Sequence, residues 1–181
     1  MTDTMMAASL GVLTAHRRNR HTMTSATARN LLDTQSLPWM HYVEGPDYAY
    51  PVSYWGTILD IDSSGHVSAL YRWDPNSFCH FHRHLCAATS VVLEGELHVQ
   101  TFENGECVLD HVRKPGDYAK KPPGDVHMEQ GGPEGALVLF ELYAPDGQLT
   151  QQLDSAGNVL RTLTTSDLER AIAKQRQYAA A

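Results

Sequence analysis

The stretch His80–Gly95, HFHRHLCAATSVVLEG, decides the fold. Side chains alternate faces along a strand, so His80, His82 and His84 are expected on one face, with Phe81 and Arg83 on the other. A surface strand has little reason to carry three imidazoles on one side. A metal site does, because imidazole nitrogen is a good ligand for iron, zinc, nickel, copper and manganese. Two histidines at i and i+2 can reach one ion. A third ligand must then come from a different strand.

Downstream, Gly116–His127, GDYAKKPPGDVH, offers that third ligand. Gly116 and Gly124 suit turns, Pro122 fixes a bend, and His127 opens the strand that follows. From Tyr54 to Pro145 the chain is a succession of short segments rich in β-branched and aromatic residues: YWGTILDID, HVSALYRWD, TSVVLEGELHVQTF, CVLDHVRKPG, DVHMEQ and GALVLFELYAP. Breakers separate them at Ser63-Ser64-Gly65, Pro75-Asn76, Gly95, Asn104-Gly105, Pro115-Gly116, Pro122-Pro123-Gly124 and Gly131-Gly132-Pro133. Many short strands at this spacing predict a sandwich or a barrel. After Pro145 the pattern predicts a hairpin turning at Asp154–Asn158. A helix then opens at Ser166, with Ser166 and Glu169 as a capping box and Leu168, Ala171 and Ile172 as its apolar stripe.

These segments carry a resemblance. Gly116, Pro122, Gly124 and His127 match every one of these fixed positions of the second cupin motif, with Gly131 where that motif ends in Asn. Counting back from Gly95 places the histidine pair of the first cupin motif at His82 and His84. Its glutamate position falls on Ala88, and its leading glycine on Asn76. The resemblance covers about residues 54–145 and is strongest to the three-histidine, carboxylate-free cupins that include acetylacetone dioxygenase and 2,4'-dihydroxyacetophenone dioxygenase. It implies an all-β, double-stranded β-helix (a jelly-roll barrel) with a C-terminal α-helix. It also implies one metal ion held by His82, His84 and His127. The expected ion is Fe(II), with zinc, nickel and manganese as alternatives. The expected activity is oxidative C–C cleavage of a small diketone or hydroxyketone by O2. Lyase or isomerase chemistry without O2, and a non-catalytic metal- or ligand-sensing cupin, are the alternatives.

His80 has the parity of the pair but no place in the motif. It is expected to line the pocket or support a ligand, and a shifted register using His80 and His82 would displace His84. Glu141, within the apolar run LVLFELY, is a candidate partner for a ligand histidine. Tyr71 and Trp73 share a strand face, as core or pocket residues. Parity aims Cys86 inward, as packing or pocket lining. Met128 and Glu129 receive no role.

The chain has 181 residues and a net charge of -7, with 14 Lys and Arg against 21 Asp and Glu. Without a basic stripe, nucleic acid is not an expected partner. No apolar run approaches a membrane span. The basic cluster Arg17, Arg18 and Arg20 follows the apolar Met5–Leu13, the reverse of a secretory signal. Three scattered cysteines without a CxxC pair suit a reduced, cytoplasmic setting. The expected layout is a disordered tail over 1–30, a barrel over 31–164 and a helix over 165–181. Unpaired sheet edges and the cupin resemblance lead to an expected homodimer.

Overall fold

The structure is a computed structural model and describes residues 30–44, 50–103 and 106–179. The expected tail, apart from Asn30, and the Asn104-Gly105 breaker lie outside the described residues.

Ten strands run in chain order: β1 (Met40–Val43), β2 (Ser53–Ile61), β3 (His66–Trp73), β4 (His82–His84), β5 (Ala87–Glu103), β6 (Glu106–Arg113), β7 (Tyr118–Lys121), β8 (Val126–Tyr143), β9 (Gln148–Leu153) and β10 (Val159–Thr164). One helix follows, α1 (Thr165–Ala179). The strands pair as β1-β2-β3-β8-β4-β9-β10, and β5 joins β8, β7 and β6. Every pairing between these strands is antiparallel. The result is a curled antiparallel sheet, the jelly-roll arrangement that the resemblance implies.

Two long strands make the curl. β5 and β8 pair over Ala87–Gly95 with Ala136–Tyr143, and again over Leu97–Gln100 with Met128–Gly131. Between the two runs β5 advances by two residues and β8 by five. Gly95 takes φ 70° there, and a Cβ on it would stand 2.1 Å from the Gly135 carbonyl oxygen. Gly131-Gly132-Pro133 was expected to end a strand. Instead it lies in the irregular part of the ladder, where β8 bends and continues, because a bulge accepts both a missing N–H and an unpaired residue.

Two apolar clusters fill the barrel. Trp73, Val92, Leu97, Val99, Met128, Val138 and Phe140 form one, with Tyr54, Tyr71 and Phe81 packed against it. Val67, Cys86, Ala88, Leu142, Leu149 and Leu168 form the other. Burying each of the larger side chains contributes about 1.5–3 kcal/mol. Leu168 is the anchor of α1, only 3% exposed.

The hairpin β9–β10 forms as expected, with Asp154 Oδ1 accepting from the Ala156 and Asn158 amides at 2.9 and 2.8 Å. The helix cap differs from Ser166–Glu169. Thr164 Oγ1 accepts from the Asp167 amide at 3.3 Å, and Asp167 Oδ2 accepts from the Thr164 amide at 2.9 Å. Thr164 leaves β10 and satisfies the first turn directly, so the reciprocal pair starts two residues earlier. Among the described residues no helix is long and apolar enough to cross a membrane.

Candidate metal centre

The third histidine is placed by strand pairing. In the β4–β8 ladder His82 stands opposite His127. Directly opposed residues of an antiparallel pair have their Cβ atoms about 5 Å apart, so the two imidazoles must meet. Their ring centroids are 4.5 Å apart. His84, two residues along β4, adds its ring at 5.0 Å from His82 and 5.1 Å from His127. Each of the three offers a ring nitrogen within 4.8 Å of the other two, and His82 Nε2 is 3.3 Å from His84 Nε2.

Hydrogen bonds behind the rings fix which nitrogen faces inward. His82 Nδ1–H donates to the His80 carbonyl at 2.8 Å. His127 Nδ1–H donates to Asp125 Oδ2 at 2.9 Å. His82 is left with an Nε2 lone pair, the tautomer that a ligand histidine adopts when its outer nitrogen is bonded, whereas His127 Nε2 also faces the Lys121 ammonium at 3.0 Å. His84 Nδ1 is buried without a hydrogen-bond partner among the described residues. Burial pushes the His82 imidazole down to about 4, with the His127 charge adding to it. Burial also pushes His84 well below its usual value. These two rings are therefore neutral at neutral pH and can donate to a cation. For His127 burial acts downward, but its bonds to Asp125 and Glu129 prevail and raise it.

The cluster opens on a cavity of about 90 Å³ whose walls include Tyr54, Tyr71, Trp73, Phe140, Leu142 and Leu163, with Thr150 and Gln152 as polar points. Tyr71 and Trp73, both weighed as core or pocket, are wall residues, and Trp73 also belongs to the core cluster. Tyr54 donates its hydroxyl to His80 Nδ1 at 3.0 Å, and His80 Nε2–H donates to Glu44 Oε1 at 2.9 Å. Burial raises the Tyr54 phenol well above its usual value, so it stays protonated.

His80 touches the cavity but does not join the imidazole cluster. β4 begins only at His82, so the alternation expected from His80 onward does not reach it. Its carbonyl orients His82, and its ring is 5% exposed and engaged by Tyr54 and Glu44. Glu141 is not at the site. It is exposed on β8 and accepts from Ser68 Oγ at 2.7 Å, because Phe140 and Leu142 on either side of it take the inward positions. Cys86 is buried in the second apolar cluster and does not line the cavity, since the chain bends at Leu85–Cys86 and breaks the parity of β4.

Lys121, Asp125 and Cys79 near the cluster were not singled out from the sequence, and Glu129 was given no role. Lys121, 6% exposed, places Nζ 3.0 Å from both ring nitrogens of His127 and 3.2 Å from Asp125 Oδ2. Cys79 Sγ accepts from the Glu129 amide at 3.2 Å. Burial, then the Glu129 charge, keep the Cys79 thiol protonated. Glu129 is 4% exposed and lines the cavity. Burial pushes its carboxyl up, but the His127 bond and the His127 and Lys121 charges outweigh it and hold the group ionised. A carboxylate-free centre was expected from Ala88. Ala88 does pack in the core, yet Glu129 brings a carboxylate to the cavity from another strand. The available signal was parity: His127 and Glu129 alternate along one face of β8.

The donor set fits a divalent ion. Donors bound about 2.1 Å from one tetrahedral or octahedral ion stand roughly 3.0–3.4 Å apart. The 3.3 Å separation of His82 Nε2 and His84 Nε2 lies in that range.

Residues 27–145 match the ChrR cupin-like domain. None of the curated proteins matches the sequence. Among solved structures the chain is similar to an acetylacetone dioxygenase from Acinetobacter johnsonii, at 14% identity, covering 90% of this chain and 99% of that one with a TM-score of 0.62. It is similar to an RmlC-like cupin from Ralstonia eutropha JMP134, at 14% identity, covering 82% and 85% with a TM-score of 0.59. A cupin-like protein of unknown function from the same organism gives 14% identity, coverage of 70% and 75%, and a TM-score of 0.57. At these identities the likeness is one of fold.

Proposed function

The chain belongs to the ChrR cupin-like family, and from that premise we propose that it is a mononuclear Fe(II) dioxygenase cleaving a C–C bond in a small enolisable diketone or hydroxyketone. The observation that carries the reading is the cluster of His82, His84 and His127 at the wall of a small, aromatic-lined cavity. Bound there, iron would supply the redox chemistry that couples O2 to an enolate.

The chain's own residues supply the rest. The three imidazoles hold the ion without adding charge, so an anionic substrate is favoured beside it. Asp125 and the His80 carbonyl keep the His127 and His82 rings turned inward. Tyr71, Trp73 and Phe140 exclude water and limit the substrate to a few carbons. Thr150 and Gln152 offer hydrogen bonds to its oxygens. The fold likeness to an acetylacetone dioxygenase supports the choice of substrate class. The partners are a small-molecule substrate, O2 and a second copy of the chain, in a cytoplasmic setting.

Protein loaded anaerobically with Fe(II) and mixed with 2,4-pentanedione, other 1,3-diketones or α-hydroxyketones tests this in an oxygen electrode. The expected result is substrate-dependent uptake of one O2 per substrate consumed, with both oxygen atoms recovered in two smaller fragments. Turnover with zinc and no O2 demand would replace the reading with Lewis-acid chemistry. Tight diketone binding with no turnover would replace it with a sensing role.

A further inference from the structure

The three tryptophans of the chain each carry one indole N–H, a group that can only donate. Trp39 Nε1–H donates to the Thr34 carbonyl at 2.8 Å. Trp55 Nε1–H donates to Asp74, 3.2 Å from Oδ1. Trp73 Nε1–H is buried and has no hydrogen-bond partner among the described residues, in a residue only 3% exposed. A buried donor left unpaired is costly, and native interiors rarely keep one without a use.

Strand alternation turns Trp73 toward the cavity. On β3, Arg72 faces outward, 5.0 Å from the Trp39 ring and 5.3 Å from the Trp55 ring, so Tyr71 and Trp73 on either side of it face inward. In the ladder with β2, Trp73 stands opposite Tyr54. Its ring lies 6.1 Å from that of Tyr54, 6.2 Å from Tyr71 and 6.3 Å from Phe140. All four are walls of the cavity that the imidazole cluster opens on. The Tyr54 hydroxyl is engaged with His80 Nδ1 at 3.0 Å, and none of these neighbours accepts from the indole. The acceptor must therefore come from what enters the cavity. A water would serve until a ligand displaced it, and that ligand must then offer an acceptor of its own.

We propose, building on the diketone reading of this site, that the Trp73 indole N–H donates to an oxygen of the bound substrate and so determines which ligands the cavity accepts. The histidines reach the cavity from β4 and the start of β8, and Trp73 reaches it from the end of β3, so metal and N–H act from different strands. An enolate oxygen, being charged, is the favoured acceptor. A hydrocarbon of the same shape leaves the N–H unpaired and is rejected, a sharper discrimination than an apolar wall achieves.

Zinc-loaded protein titrated with 2,4-pentanedione tests this, because zinc gives a diamagnetic complex without O2 chemistry. Proton–nitrogen NMR of protein labelled on the indole nitrogens reads each tryptophan separately, with Trp73 assigned by the signal missing from Trp73→Phe. The Trp73 indole proton should move downfield on saturation, while those of Trp39 and Trp55, already bonded, hold their positions. Calorimetry should show zinc uptake unchanged in W73F and diketone binding roughly three- to tenfold weaker, the loss of one hydrogen bond. Where W73F fails to fold, Trp39→Phe and Trp55→Phe assign the signal by elimination and the wild-type titration decides. An unmoved Trp73 signal in protein that does bind the diketone, or wild-type affinity in W73F, overturns the Trp73 donor and leaves the metal and substrate reading standing. Zinc-loaded wild type that binds no diketone overturns that reading, and the Trp73 donor with it.

Discussion

Acidifying the metal-free protein should unfold it through His82, and His82→Gln should remove a defined part of that effect. The His82 imidazole is held down to about 4 by burial first and by the His127 charge second. In the unfolded chain it titrates near 6.5. Between those values the unfolded state binds the extra proton, so stability falls as pH falls from 6.5 toward 4. The full window is worth at most about 3 kcal/mol, and the steepest part, near pH 5–6, a little over 1 kcal/mol per pH unit. His84, also lowered, adds with the same sign. His127 is raised, so its contribution is present below 6.5 and is lost as pH climbs through its folded value; it is nearly flat in this window. Asp125 and Glu129 are lowered, and their contributions are lost only further into acid. Urea unfolding of chelator-treated protein at several pH values from 5 to 7 reads the slope directly. Wild type should lose stability steadily toward pH 5, and H82Q should lose about 1 kcal/mol per pH unit less. Equal slopes in the two proteins would refute a His82 held neutral by desolvation.

Leu97→Ala removes a side chain that is 0% exposed and packed in the cluster beneath the cavity. It should cost about 2–5 kcal/mol by urea unfolding while metal uptake stays at one per chain. Gly95→Ala forces φ 70° on a residue with a Cβ and drives that Cβ against the Gly135 carbonyl. Thermal melting should show a loss of at least roughly 1–3 kcal/mol from the backbone alone. Asp125→Asn weakens the acceptor behind His127 Nδ1–H. Calorimetry should give metal affinity about 10–100-fold lower, and wild-type affinity would show that Asp125 does not orient the ring.

The strand-rich barrel was legible because alternation and turn residues report local geometry. The pairing of His82 with His127 was legible through the motif spacing, and the ladder places the two opposite each other. What alternation could not report is where a strand starts, bends or ends. His80 lies before β4, and Cys86 lies after its bend, so both depart from the parity read off His82 and His84. Gly131-Gly132-Pro133 reads as a stop, yet the ladder with β5 carries the chain through it. Glu141 sits in a run so apolar that its outward position was hidden, although Phe140 and Leu142 mark it. Glu129 was within reach of the same rule, being two residues past His127. Lys121 was not, because its approach to His127 depends on how β7 lies across β5.

The account stands or falls on which histidines hold the ion. Metal content per chain, measured after loading with one equivalent of Fe(II) and desalting, should be near one in wild type and in His80→Ala. It should be near zero in His82→Ala, His84→Ala and His127→Ala. Retention of the metal by H84A together with its loss from H80A would contradict the assignment.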